Sequence, residues 1–196
     1  VLVFRNGQRR QFPPGDDDRY ESAYFWEERN VWFSDLWHLA GETQAVEDGL
    51  RERSGAFPLE LPYRLISMFS AYGDTVFDPF LGTGTTTVAA MAAGRNSVGY
   101  DRDDDLLSAL DQRVDAAPQR SREIAEQRLA DHREWVAERC AEGNEPGYEA
   151  EHYDTLVNTK QERRIRLYAV DEVSRGPEGY EATHVPVETI PESEQA

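Results

Sequence analysis

The chain has 196 residues, 39% of them hydrophobic and 11% aromatic, enough for one domain of ordinary size with its own core. Its 38 acidic residues outnumber 21 basic ones and leave a net charge of −17. That balance excludes capture of DNA by bulk attraction; a DNA partner would depend on locally placed arginines, base contacts and shape. No apolar run is long enough to span a bilayer, no signal-peptide pattern opens the sequence, and a single cysteine, Cys140, excludes an internal disulfide. A cytoplasmic location, without membrane association, is the expectation.

Cys140 is expected to be a small buried residue rather than a nucleophile. His38, His132, His152 and His184 make no metal-ligand spacing with one another or with the cysteine, so no metal is expected. Lys160 is the only lysine. An acidic, lysine-poor, arginine-retaining surface suits a salt-rich cytoplasm, because high ionic strength screens the repulsion among carboxylates; a halophilic source is the expectation.

In chain order, Val1 to Phe4 reads as a strand ended by Arg5-Asn6-Gly7. Gln8 to Tyr20 reads as an exposed loop carrying Pro13-Pro14-Gly15 and the acid run Asp16 to Asp18. Arg5, Arg9 and Arg10 lie close enough to touch a phosphate backbone, or else are solvated cations balancing nearby acids. Tyr24, Phe25, Trp26, Trp32, Phe33 and Trp37 form an aromatic cluster read as packing. Gly41 to Gly55 reads as a polar linker or flexible loop.

Phe57-Pro58 is extended, since a residue before proline avoids the helical region. Pro62 suits a first helical turn, and Leu65, Ile66 and Phe69 then share an apolar face. Gly73-Asp74 turns the chain into TVFDPFLGTGTTTVAAMAAGRNSVGYD, residues 75–101. This stretch reads as strand, glycine turn, helix, second strand and acid, half of a nucleotide-binding βαβ unit. Gly94 stands where a helix C-terminal glycine belongs. The turn lacks the third glycine of the dinucleotide fingerprint and the Gly-Lys-Ser/Thr ending of a P-loop. Asp78 and Asp101, each ending a strand, would repel a pyrophosphate; they suit a cationic or hydroxyl-rich ligand such as S-adenosylmethionine.

Beyond Asp101, Leu106, Leu107, Leu110 and Val114 keep helical spacing until Pro118 breaks the helix. Gln119 to Cys140 is a second helix with Ala125, Leu129, His132, Val136 and Cys140 on one face, His132 being a packed residue. Gly143 and Pro146-Gly147 end it, and Tyr148 to Gln161 gives no clear pattern. Arg164 to Val173 alternates like a strand, Gly176-Pro177 turns, and Ala182 to Val187 pairs back as a hairpin before an acidic tail. Three regions result, 1–55, 56–140 and 141–196, the last an extension with strand candidates.

Asp78-Pro79-Phe80-Leu81-Gly82-Thr83-Gly84-Thr85-Thr86 resembles the cofactor motif of amino-group DNA methyltransferases, which methylate cytosine N4 or adenine N6. Phe57 to Pro62 is similar to the Phe-Pro motif that precedes this turn in the permuted class, and the likeness continues to Asp101. It implies an α/β, Rossmann-like methyltransferase sheet, incomplete here, with a helical and irregular C-terminal extension: 1–55 a late catalytic-half strand with a recognition or linker segment, in which Phe33 to Trp37 is similar to a short strand leading toward the cofactor region, and 56–140 the cofactor-binding half. It also implies that Phe57, Pro58, Asp78, Pro79, Phe80, Gly82, Gly84, Thr85 and Thr86 hold S-adenosylmethionine, with Asp101 on its ribose.

The family's catalytic element, Asp/Asn/Ser-Pro-Pro-aromatic, is missing. Pro13-Pro14 has Phe12 before it and Gly15 after it, so no residue receives a catalytic role. The resemblance implies the C-terminal, cofactor-binding portion of a site-specific DNA methyltransferase acting on double-stranded DNA, in a fragment or a split enzyme whose partner chain carries the catalytic motif. Two alternatives remain at this point: a non-catalytic subunit that completes a site with a partner, and a methyltransferase for RNA or small molecules.

Overall fold

A parallel strand–helix–strand unit forms the centre of the molecule. Strand β1 (Thr75–Asp78) runs beside β2 (Asn96–Gly99) in the register Thr75↔Asn96 to Asp78↔Gly99. The computed structural model describes residues 3–39, 57–103, 106–177 and 179–187. Before the unit come the short helices α1 (Asp17–Glu21) and α2 (Trp26–Trp32), then α3 (Glu60–Phe69). Between the two strands lies α4 (Thr85–Ala92), followed after β2 by α5 (Leu107–Asp115) and the long α6 (Ala117–Ala141). The chain then forms a minimal antiparallel pair, β3 (Tyr148–Glu149) with β4 (Leu156–Val157), and a longer hairpin, β5 (Tyr168–Gly176) with β6 (Gly179–Pro186).

Small residues explain the placement of α4. Val88, Ala89, Ala90, Met91 and Ala92 are all buried, so the helix is wrapped by α3, β2 and the later helices rather than amphipathic. Its end is a Schellman motif. Gly94 at φ +69° donates to the Met91 carbonyl at 3.0 Å, and Arg95 donates to Ala90 at 2.8 Å. Pro118, the second residue of α6, explains why α5 stops at Asp115 and a new helix starts. The buried stripe of α6 is Ala117, Ser121, Ala125, Leu129 and His132, and the Ser121 Oγ accepts the Val170 N–H of β5 at 2.8 Å.

Two cores result. One gathers Trp32, Tyr63, Ile66, Val88, Leu110 and Val114 around α4; the other gathers Phe25, Leu129, Tyr153, Ile165 and Leu167 under the C-terminal region. Each large apolar side chain fully buried this way contributes about 1.5–3 kcal/mol.

Several expectations change. Val3 and Phe4 are exposed coil, without the partner a strand requires; Val1 and Leu2 lie outside the described residues. The Gln8–Tyr20 loop ends in α1, because Asp16 caps that helix by accepting the Arg19 N–H at 2.9 Å. Phe33 to Trp37 is not a strand: Phe33 closes α2 through its N–H to Arg29, and the Trp37 indole turns back to the Trp32 carbonyl at 3.1 Å. The buried face of α3 is Pro62, Tyr63, Ile66 and Ser67, leaving Phe69 exposed. Cys140 is exposed, since the packed stripe of α6 ends at His132, two turns earlier. The strand expected from Arg164 starts only at Tyr168, after a 3-10 turn over Glu162–Arg164. The linker Gly41 to Gly55 and the acidic tail lie outside the described residues.

Candidate cofactor-binding site

The glycine turn sits where β1 ends and α4 begins. Tyr100 donates to the Asp78 carbonyl at 2.9 Å, and Leu81 donates to the Tyr100 carbonyl at 3.0 Å, so the turn is sewn to the end of β2. Gly84 donates to Leu81 at 2.9 Å and closes the loop. Two positive φ angles shape it, Gly82 at +54° and Gly84 at +81°. A Cβ on Gly84 would stand 2.1 Å from Leu110 Cδ1, so only glycine lets α5 pack there. At Gly82 a Cβ would meet nothing nearer than the Phe80 carbonyl oxygen at 3.8 Å, which leaves open space beside the turn.

The two acids behave differently. Asp101 accepts the Gly82 N–H at 2.7 Å and the Asp103 N–H at 3.0 Å. The Asp103 and Gly82 backbone donors hold its carboxyl below the usual carboxylate range. Asp78 accepts the Phe80 N–H at 3.0 Å, an interaction within its own turn. Thus the structure brings Asp101 and Gly82 into direct contact, and bends Asp78-Pro79-Phe80 so that the Phe80 ring is 86% exposed at the rim.

Thr85 and Thr86 open α4, whose first N–H groups have no partner within the helix. Thr85 is buried, its hydroxyl accepting from Arg113 Nη1 at 2.9 Å. Phe57 and Pro58 stand just before α3, and Pro58 accepts the Leu61 N–H at 3.1 Å; the hydrogen bonding of that segment is local to the helix start. Sequence reasoning placed Leu110 on a helix face but not its contact with the turn, and missed Arg113 and Arg95. Arg95 is a buried guanidinium that donates to the Ser70 carbonyl at 2.7 Å and lies 4.8 Å from the Tyr72 ring centroid. None of these three contacts has a sequence signal, because each joins residues far apart along the chain.

These parts can hold a ligand with several kinds of polar group. Orphan N–H donors at a helix start bind a carboxylate, carboxylates accept hydroxyls or pair with an ammonium, and an exposed phenyl face takes an aromatic or sulfonium group. The donor set and the open side of Gly82 fit S-adenosylmethionine.

Among the described residues the sheet is bare on one side. Val76 packs toward the α4 core, whereas Phe77 and Val98, register partners on the opposite face, are 64% and 55% exposed. Parallel sheets are ordinarily covered on both faces.

Residues 3–112 match the DNA methylase family of the N6 and N4 type. A Type II methyltransferase, M.MthZI of Methanothermobacter thermautotrophicus, is 46% identical over 172 residues, covering 86% of this chain and 47% of its own. A second, M.MjaI of Methanocaldococcus jannaschii, is 48% identical over 114 residues, 58% of this chain and 37% of its own. Among solved structures, a putative DNA modification methylase of Thermus thermophilus complexed with S-adenosyl-L-methionine is 32% identical, covers 58% of this chain and 41% of its own, and superposes with a TM-score of 0.43. The chain thus spans about half the length, or less, of these curated relatives.

Proposed function

Because this chain belongs to the N6/N4 DNA methylase family, we propose that it forms the cofactor-binding half of a site-specific DNA methyltransferase that uses S-adenosylmethionine on an exocyclic amino group of cytosine or adenine. The observation that carries this reading is the Asp101–Gly82 bond at the mouth of an open glycine turn. That bond holds a carboxylate against the turn that carries the exposed Phe80 ring and leads into the start of α4.

In this reading the helix-start N–H groups after Gly84 and the Asp78 carboxylate hold the amino-acid end of the cofactor. Asp101 accepts from the ribose while it braces the turn, and Phe80 with Phe57-Pro58 shields the apolar parts. The cofactor supplies an activated methyl on a sulfonium sulfur. The amino nitrogen of a base that has left the stack would accept that methyl in line, the carbon–sulfur bond breaking to leave a thioether and the surplus amino proton passing to water or to the catalytic motif. The work of this chain is positioning, which by itself can supply several powers of ten in rate.

The Pro-Pro pair at Pro13-Pro14 lies in a loop far in sequence from the turn, and its neighbours lack the polar residue that would hold an amino group. In this reading the catalytic motif belongs to further polypeptide, whether continuous with this chain or a second subunit, and that polypeptide covers Phe77 and Val98, which no described residue buries. The exposed sheet face supports this reading, as does the greater length of the relatives.

Calorimetric titration tests the proposal. S-adenosylmethionine and its demethylated product bind, and ATP and NAD do not. Binding of the nucleotides without the sulfonium compound would remove the methyltransferase reading. Methyl transfer to duplex DNA is expected only when polypeptide bearing the catalytic motif is added, and Phe77→Gln/Val98→Gln weakens that reconstitution.

A further inference from the structure

A cavity of about 870 Å³ lies between the N-terminal segment, α1, the start of α2 and the end of α3. Five arginines line it, Arg5, Arg9, Arg10, Arg19 and Arg29, against a single acid, Glu162. In a chain with 38 acids and 21 basic residues, that is a local reversal of sign. Glu162 does not cancel it as a mobile counter-charge. It is buried, and its carboxylate is already occupied by the Trp26 N–H at 2.7 Å and the Thr159 N–H at 2.6 Å.

The arginines are poorly matched with acids. Arg10 pairs with Asp74 at 2.5 Å. Among the described residues Arg5, Arg9, Arg19 and Arg29 have no carboxylate within ion-pair distance. Arg19 and Arg29 instead lie over aromatic rings, 5.6 Å from Phe12 and 5.4 Å from Trp26. Exposed rings stand at the edges, Phe4 at 85% and Phe69 at 56%. Exposed guanidinium groups interleaved with aromatic faces are the chemistry that follows a nucleic-acid backbone. The remaining surface of a chain of net charge −17 repels one.

We infer that this cleft binds the phosphodiester backbone of DNA, with Arg5, Arg9 and Arg29 on phosphates. The inference rests on the DNA reading above and adds where the strand runs. Asp74, which holds Arg10, precedes β1, whereas the glycine turn follows its far end, so the cleft is set back from the cofactor by the length of that strand. It therefore takes a flank of the substrate and not the target base. Its arginines set affinity and salt dependence without touching the cofactor.

The test is fluorescence anisotropy of a labelled duplex with the 196-residue chain over a series of salt concentrations. Arg5→Ala/Arg9→Ala/Arg29→Ala should lower the slope of log affinity against log salt by about 0.9 for each phosphate contact removed. A charge-matched triple elsewhere, Arg120→Ala/Arg122→Ala/Arg163→Ala, should leave the slope near that of the parent, and Arg5→Lys/Arg9→Lys/Arg29→Lys should retain it. Should the alanine triple lose its circular dichroism spectrum, Arg9→Gln alone should still show the loss for one contact. Equal slopes for cleft and control triples, or a parent chain with no salt-dependent duplex binding, overturn the inference. The methyltransferase reading is judged separately, by binding of S-adenosylmethionine to the same proteins.

Discussion

The Asp101 carboxylate accepts the Gly82 N–H at 2.7 Å, so the acid that ends the second strand braces the glycine turn that follows the first. One side chain thereby couples the two ends of the βαβ unit at the point where a ligand would enter. Removing it both deletes an acceptor and frees the turn.

Asp101→Ala is expected to weaken S-adenosylmethionine binding by about tenfold, the effect of one charge-assisted hydrogen bond. Asp101→Asn, which keeps one acceptor oxygen, should lose less. Because the Asp103 and Gly82 donors favour the ionised form, the folded chain binds this proton less tightly than the unfolded chain does. The stabilisation is complete above the ordinary carboxyl pKa of about 4. It disappears as pH falls through the depressed value. Urea midpoints of parent and Asp101→Ala should therefore converge only in acid; a constant difference at all pH values would remove the assignment.

Gly84→Ala should destabilise the fold by about 3 kcal/mol, combining the left-handed backbone penalty with the clash on Leu110. In a double-mutant cycle with Leu110→Ala, only the steric part is recovered, so the two changes should couple by about 1 kcal/mol or more. Strict additivity in urea melts would mean that α5 does not pack against this turn.

Arg128 grips Glu28 with both Nε, at 2.5 Å, and Nη2, at 2.8 Å, joining α6 to α2 while Glu28 also caps α2 through the Phe25 N–H. Both side chains are largely buried. Glu28→Gln strands the guanidinium and should cost about 3–5 kcal/mol. Replacing both partners together by Met and Leu should cost markedly less. Chemical denaturation of the three proteins decides; a double variant as weak as the single one would contradict the desolvation argument.

The charge of −17 predicts a response to salt. Screening of carboxylate repulsion should raise the urea midpoint between about 0.1 M and about 2 M KCl, although exposed ion pairs weaken over the same range. Full stability in dilute buffer, with no rise on adding salt, would count against a halophilic origin.

What could be read from the chain alone were features whose cause is local. The left-handed glycines at Gly82, Gly84 and Gly94, the helix break at Pro118 and the turn at Gly176-Pro177 follow from steric limits on single residues, and all stand in the structure. The motif from Asp78 to Thr86 was legible for the same reason, since a strand, a glycine turn and a small-residue helix are contiguous. Tertiary packing decided the rest. It exposed Cys140, turned Phe33–Trp37 into coil, joined Asp101 to Gly82, and gathered arginines from residues 5 to 29 against the end of α3. Backbone geometry is dictated by neighbours in sequence, whereas burial and charge pairing depend on which distant surfaces meet, and periodicity along one element carries no record of its partner.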